Sequence, residues 1–185
     1  RHQVADFCAF LDEHGFRSVF LHAVYLINPS CRTGRNAPLY AKSVKLLAAT
    51  MERASALSCE YVVVHMGSRR GKPAPEALDS FIEALSRLDA KAPGSEQAAD
   101  AREGPRLLLE NGAGAGDTVG ATFEELAEVL TAAQERGVKL PLGICLDTAH
   151  MWGAGYDLSS AAAVRRWVNE FDRTVGLEQL PLIHF

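Results

Sequence analysis

The sequence predicts an α/β protein built on a parallel sheet, and three observations carry that prediction. Short apolar runs alternate with stretches whose apolar residues recur at helical spacing, as in repeated strand–loop–helix units. The runs, such as Tyr61-Val-Val-Val64 and Leu107-Leu-Leu109, are continuously apolar, the pattern of strands covered on both faces. Five runs end at a histidine or a carboxylate: His22, His65, Glu110, Asp147 and His184. With six histidines and 23 acidic residues among 185, composition alone would put about one such residue at five ends. A (β/α) barrel and a doubly wound sheet both fit the alternation. In a barrel all the C-terminal strand ends open on one mouth, which would gather these residues.

The elements follow in order. Arg1 to His14 reads as an amphipathic helix with Val4, Phe7, Cys8 and Leu11 on one face and Gly15 as its stop. Ser18-Val-Phe-Leu21 is a short strand ending at His22. Ala23 to Pro29 is a loop carrying Tyr25 and Leu26, and 31–36 is polar turn chemistry. Tyr40 to Leu57 is a helix with Val44, Leu47, Met51 and Ala54 inward. After the strand at Tyr61 comes a Gly-rich basic loop, Met66-Gly-Ser-Arg69-Arg70-Gly-Lys72. Pro75 suits the first turn of a helix that turns Leu78, Phe81, Ile82 and Leu85 inward. Residues 91–103 are polar and aperiodic, a long mobile surface connector.

The run ending at Glu110 leads into Asn111-Gly-Ala-Gly-Ala-Gly116, which reads as a flexible loop. Thr122-x-x-Glu125 is a capping box opening a helix with Leu126, Val129 and Leu130 inward. Leu142 to Leu146 ends at Asp147, with His150 three residues on and a Gly-rich turn beyond. Ser160 to Val175 is a helix with Val164, Trp167, Val168 and Phe171 inward, and Leu180 to Ile183 ends at His184. No G-x-G-x-x-G fingerprint follows the first strand, and a Gly-rich loop that starts from a glutamate repels phosphate unless a metal intervenes.

A net charge of −4 gives no global signal for nucleic acid, and does not exclude it, because a local basic surface or bound metal supplies positive charge. Cys8, Cys31, Cys59 and Cys145 show no C-x-x-C spacing and imply no disulfide framework, so a reducing cytoplasm is expected. No run in these residues approaches transmembrane length, and no signal peptide is expected. The chain opens at Arg1 and stops inside an apolar run at Phe185, so a piece of a longer protein is expected, a single partial domain over 1–185.

The chemistry lies in the set of donors. His22, His65, Glu110, Asp147, His150 and His184 mix imidazole and carboxylate, which suits Zn²⁺, with Mn²⁺ or Fe²⁺ as alternatives. Six donors exceed what one catalytic ion needs, and Glu110 can bridge two. Two or three close ions suit phosphoryl transfer. A single histidine at a strand end is ordinarily a hydrogen-bonded core residue; only the coincidence of five ends argues for a site. His2 and His14 receive no role, Asp157 reads as a turn or cap residue, and Trp152 and Tyr156 as rim packing. Arg69, Arg70 and Lys72 read as a solvated loop placed to meet phosphate. Tyr25 and Leu26 either cover the mouth or wedge into a stacked substrate.

Four segments, taken in order, resemble endonuclease IV: His22-Ala-Val-Tyr25-Leu-Ile-Asn28, Val64-His65-Met-Gly67-Ser68, Glu110-Asn111-Gly-Ala-Gly-Ala-Gly116, and Cys145-Leu-Asp147-Thr-Ala-His150 through Asp157. The resemblance implies a xylose-isomerase-like TIM (β/α)8 barrel, here incomplete with about five strands. It implies a monomeric, zinc-dependent apurinic/apyrimidinic endonuclease of base-excision repair, holding two to three ions and cutting double-stranded DNA 5′ to an abasic site. His22 and His65 would hold one zinc and Glu110 would bridge it to a second, held by Asp147 and His184, with His150 serving a third. Glu110 and Asp147 would be catalytic; Tyr25, Leu26 and Arg69 would contact DNA. The family's first strand and last two strand–helix units have no counterpart in these residues, and Gly112 stands where a Thr is usual. The rivals are a single-metal sugar isomerase or epimerase on the same barrel and an inactive truncated remnant.

Overall fold

The computed structural model describes residues 2–16, 18–90 and 104–185. Arg1, Arg17 and the 91–103 connector lie outside the described residues. Among those described, five strands form one sheet: β1 (Phe20–His22), β2 (Tyr61–His65), β3 (Arg106–Glu110), β4 (Leu142–Asp147) and β5 (Leu182–His184). They pair in parallel in chain order. A sheet that never reverses its order has no switch point, so the doubly wound alternative falls and the half of a TIM barrel remains. Helices run between the strands: α1 (His2–Glu13), α2 (Ala37–Ala56), α3 (Ala74–Asp89), α4 (Phe123–Glu135), α5 (Thr148–Gly153) and α6 (Ala161–Thr174).

The register sorts every strand residue to one of two faces, because side chains alternate along a strand. Val62, Val64, Leu107, Leu109, Ile144 and Leu146 take the outer face and are fully buried under the helices with Phe81, Leu85, Leu126 and Phe171. The inner face carries Val63, Leu108 and Cys145, closely packed with Tyr61 and Leu182. His65 pairs with Glu110, Glu110 with Cys145, and Asp147 with His184. His22 sits beside Val63, two residues below His65. All five strand-end donors therefore share the inner face at the C-terminal rim, and Val63, Leu108 and Cys145 form the apolar floor beneath them.

The helices form where their periodicity puts them. Thr122 caps α4 by accepting the Glu125 N–H at 3.2 Å, and the Glu125 carboxylate accepts the N–H groups of Gly120 and Ala121 at 2.8 Å each. The box thus closes onto two donors ahead of the cap and ties the preceding loop to the helix. Asp157 behaves as a turn residue, accepting from the Ser159 N–H and hydroxyl. Tyr156 stacks on Phe123 and its hydroxyl accepts the Phe123 N–H, while Trp152 stays exposed.

Three local features differ from the sequence reading. Phe7 and Phe10 of α1 are exposed and Val4, Cys8 and Leu11 only half-buried, so the helix is thinly covered, with the Cys8 thiol against the Ala56 carbonyl of α2. Residues 148–153 form a short helix, for which the sequence reading names no element, ahead of the Gly-rich turn, since Asp147 is an efficient N-cap. The Gly-rich segment after Glu110 is pinned rather than loose. Gly112 N–H donates to Gly120 O at 2.9 Å, and Ser68 and Thr118 form a bridge flanked by bonds from Arg69 to Asp117 and from Val119 to Gly67. Among the described residues, no helix is long and apolar enough to cross a membrane.

Candidate metal centre

Glu110 is the residue the site is built on. It ends β3, the middle strand, and is 2% exposed. A buried carboxylate is costly unless paired, and this one meets imidazoles on every side. Its Oε2 lies 2.9 Å from His22 Nε2 and 3.4 Å from His65 Nε2. Its Oε1 lies 3.1 Å from His184 Nδ1 and 3.7 Å from His150 Nδ1. Asp147 stands behind the second pair, 3.9 Å from both His184 Nδ1 and His150 Nδ1. All six donors expected from the sequence are therefore brought together, with one carboxylate oxygen facing each pair of histidines.

The charges follow from this geometry. Burial pushes the Glu110 carboxyl up, but the hydrogen bond from His22, the field of His65 and the hydrogen bond from His184 outweigh it and hold it below the usual carboxylate range. His22 is raised, chiefly by its hydrogen bond to Glu110. His65 is lowered by burial, which favours the neutral imidazole that a metal requires. Burial, reinforced by the Glu110 and Asp147 carboxylates, pushes the Cys145 thiol up to about 12, so Cys145 stays a neutral part of the floor.

The ring orientations test whether a cation fits. His22 Nδ1 lies 2.7 Å from the Ala23 carbonyl, which can only accept, so Nδ1 carries the proton. Nε2 then turns a lone pair toward a carboxylate unless a proton or a metal stands between them. A backbone carbonyl that fixes one ring nitrogen and frees the other is the usual support of a metal-bound histidine. His150 Nδ1 is likewise committed to the Asn111 carbonyl at 3.0 Å, leaving its Nε2 free. Donors about 2.0–2.2 Å from a tetrahedral Zn²⁺ lie roughly 3.4 Å apart, within the 2.9–3.9 Å spread seen around Glu110. His22, Glu110 and His184 form one group of donor atoms close enough to share an ion, and His65, Glu110 and His150 another. The donor set fits divalent metal.

Local structure explains the Asp-x-x-His spacing. Asp147 caps α5, its Oδ1 accepting the His150 N–H at 2.8 Å, so the cap bond itself sets the imidazole beside the carboxylate. Asn111, which the sequence places in a flexible loop, is 2% exposed and clips the ends of β3 and β4 together. Its Oδ1 accepts the Asp147 N–H at 2.6 Å and its Nδ2 donates to the Asp147 carbonyl at 3.4 Å. Its place directly after a buried glutamate is the signal the sequence offers.

Above the donors is a cavity of about 230 Å³, lined by Tyr25, Leu26, His65, Arg70, Glu110 and His150 among others. Tyr25 and Leu26 are 74% and 79% exposed, and the Tyr25 ring meets His65 edge-on. Asn28, a second residue that sequence reasoning passes over, anchors their loop. It is buried, donates from Nδ2 to the Ser68 carbonyl at 2.9 Å, and accepts the Ser68 N–H at 3.0 Å. Gly67, at φ 92°, leaves room for that amide; a Cβ there would collide with it. Arg69 turns toward Asp117, 4.0 Å away, so it is Arg70 that lines the cavity.

Comparison with known proteins agrees with this picture. A family described as xylose isomerase-like TIM barrel matches residues 1–185. The protein named Endonuclease 4 from Thermus thermophilus is 38% identical over 182 residues, covering 98% of this chain and 57% of that protein. A crystal structure of endonuclease IV from another strain of Thermus thermophilus superposes with a TM-score of 0.74 at 36% identity, over 99% of this chain and 58% of that one. A D-tagatose 3-epimerase-like protein superposes with a TM-score of 0.68 at 23% identity, over 98% of this chain and 60% of that one, a likeness of fold alone. The chain spans about half the length of the curated relatives it matches.

Proposed function

This chain belongs to the endonuclease IV family of xylose isomerase-like TIM barrels, and from that premise we propose that it serves the metal-dependent hydrolysis of DNA at abasic sites. The bond cut is the phosphodiester 5′ to the abasic nucleotide, leaving a 3′-hydroxyl and a 5′-deoxyribose phosphate. The observation that carries the reading is Glu110, whose two oxygens each face a separate pair of imidazoles. A single-metal sugar enzyme has no need of a carboxylate shared in this way.

His22, His65, His184 and Asp147 would hold the ions around Glu110, which both groups of donors contain, and the free Nε2 of His150 would be available to a further one. Zinc suits this set, with manganese as the alternative. Two such ions, held by these residues, would neutralise phosphodiester oxygens, supply a nucleophile from water near neutral pH and stabilise the leaving oxygen. The protein's own part is positional. Ala23 and Asn111 carbonyls fix the His22 and His150 rings, the apolar floor keeps water from beneath, and Glu110 stays ionised. Tyr25 and Leu26, exposed on the loop that Asn28 anchors, would enter the gap that a missing base leaves in the stack.

The test is a duplex carrying one abasic site, incubated with zinc-loaded chain. The reading expects a nick on the 5′ side whose 3′-hydroxyl a polymerase can extend, and no nick in the intact duplex. A chain that binds close to one ion and leaves the abasic duplex whole would turn the reading toward the sugar enzyme. A metal-free or aggregated chain would favour the inactive remnant.

A further inference from the structure

The cavity over Glu110 has a basic wall that the metal centre does not use. Three cations lie on the loop after β2, and two of them have acidic neighbours. Arg69 faces Asp117 at 4.0 Å, and Lys72 Nζ is 3.1 Å from Glu76. The third, Arg70, is exposed and lines the cavity with Tyr25, His65, Thr118 and His150. Among the described residues its guanidinium makes no ion pair and no hydrogen bond; the bond Arg70 does make is from its backbone N–H to Ser68 Oγ at 3.3 Å.

The backbone at Arg70 sharpens the point. Its φ is 52°, in the left-handed region that disfavours residues with a side chain. Gly67 and Gly71 take positive φ in the same loop without that cost. The turn is closed by the Lys72 N–H donating to the Arg69 carbonyl at 3.0 Å and braced by Asp117, whose carbonyl accepts the Arg69 N–H at 2.8 Å and whose carboxylate accepts the Gly71 N–H at 2.5 Å. Glycine would serve the turn better, so the turn does not account for the guanidinium.

We propose that Arg70 is a phosphate-contacting residue, its guanidinium holding a backbone phosphate of the DNA strand that enters the cavity past Tyr25. The proposal rests on the endonuclease reading above. A guanidinium offers paired donors that match two phosphate oxygens, and one without an internal carboxylate partner gives up nothing to bind them. It meets phosphate and not bases, so it adds affinity uniformly across sequences.

The experiment measures binding of the zinc-loaded chain to abasic and intact duplexes of one sequence across a salt series, for wild type, Arg70→Gly and Arg70→Lys. Loss of one phosphate contact lowers the slope of log K against log salt by about 0.9 and weakens binding roughly eightfold at 0.1 M salt. Arg70→Gly should show both changes on both duplexes while its melting temperature rises, which a structural role would not produce. Arg70→Lys, with the charge kept, should hold the wild-type slope. An Arg70→Gly chain with wild-type slope and affinity overturns the contact and leaves the endonuclease reading standing. A wild type that never nicks abasic duplex, yet loses slope on Arg70→Gly, keeps the contact and sinks that reading.

Discussion

Replacing Glu110 by glutamine tests the site through stability, without reference to catalysis. Among the described residues, both donor groups that can share an ion include Glu110, so one substitution reaches both. An ion that binds only the folded chain stabilises it by about 2.7 kcal/mol at a free concentration of 100 Kd. In a chain of this size that is a rise of roughly 5–11 °C in melting temperature per ion, at about 2–4 °C per kcal/mol. Glutamine keeps the shape of Glu110 and an acceptor for one imidazole while removing the anion, and it relieves the cost of a buried charge as it loses the His22 and His184 interactions. The metal-free melting temperatures of Glu110→Gln and wild type should therefore agree within a few degrees, roughly 1 kcal/mol or so. The assay is a thermal melt of each chain with excess zinc and with chelator. Wild type should show the rise and the variant should lose most of it. A rise of equal size in both, or none in wild type, would refute the reasoning.

Other consequences can be measured separately. Asn28→Ala removes the partner of the half-buried N–H and carbonyl of Ser68, which should cost about 1 kcal/mol in chemical denaturation and speed amide exchange across 24–30 and 66–69. Combined Tyr25→Ala and Leu26→Ala, at exposed positions, should leave the melting temperature within about 1 kcal/mol-equivalent of wild type and the zinc content unchanged, while abolishing the preference for abasic over intact duplex in a binding titration. Phe81→Ala, at a fully buried site beneath the outer sheet face, should cost about 3–5 kcal/mol, read as a lower denaturant midpoint at unchanged slope.

The fold is legible because its signals are local. Continuous apolar runs such as Tyr61–Val64 admit few readings other than a doubly covered strand, and helical spacing alone names Phe81, Leu126 and Phe171 as core. The donors are legible for the same reason: five of them end runs that parallel strands deliver to one rim, and His150 follows Asp147 by three residues in the helix it caps. The partners of Asn28 and Asn111 are not, because each clip depends on a residue about 40 or 36 positions away, Ser68 or Asp147, and the one cue, the place of Asn111 directly after Glu110, does not name its partner. The Gly-rich segment after Glu110 reads as loose because composition reports backbone freedom but not the ladder to Ser68 that removes it. Arg69 and Arg70 are indistinguishable in sequence; a single positive φ decides which one meets the cavity. Helical spacing puts Phe7 on a buried face because it reports amphipathicity without telling whether a neighbour covers it.

The central claim is that cations sit between Glu110 and its histidines. Anomalous diffraction at the zinc edge from crystals grown with zinc measures it directly. The account predicts two peaks, each within bonding distance of the Glu110 carboxylate: one shared with His22 and His184, the other with His65 and His150. Peaks away from Glu110, or an ordered site in which its oxygens bond only to protonated imidazoles in the presence of zinc, would contradict it.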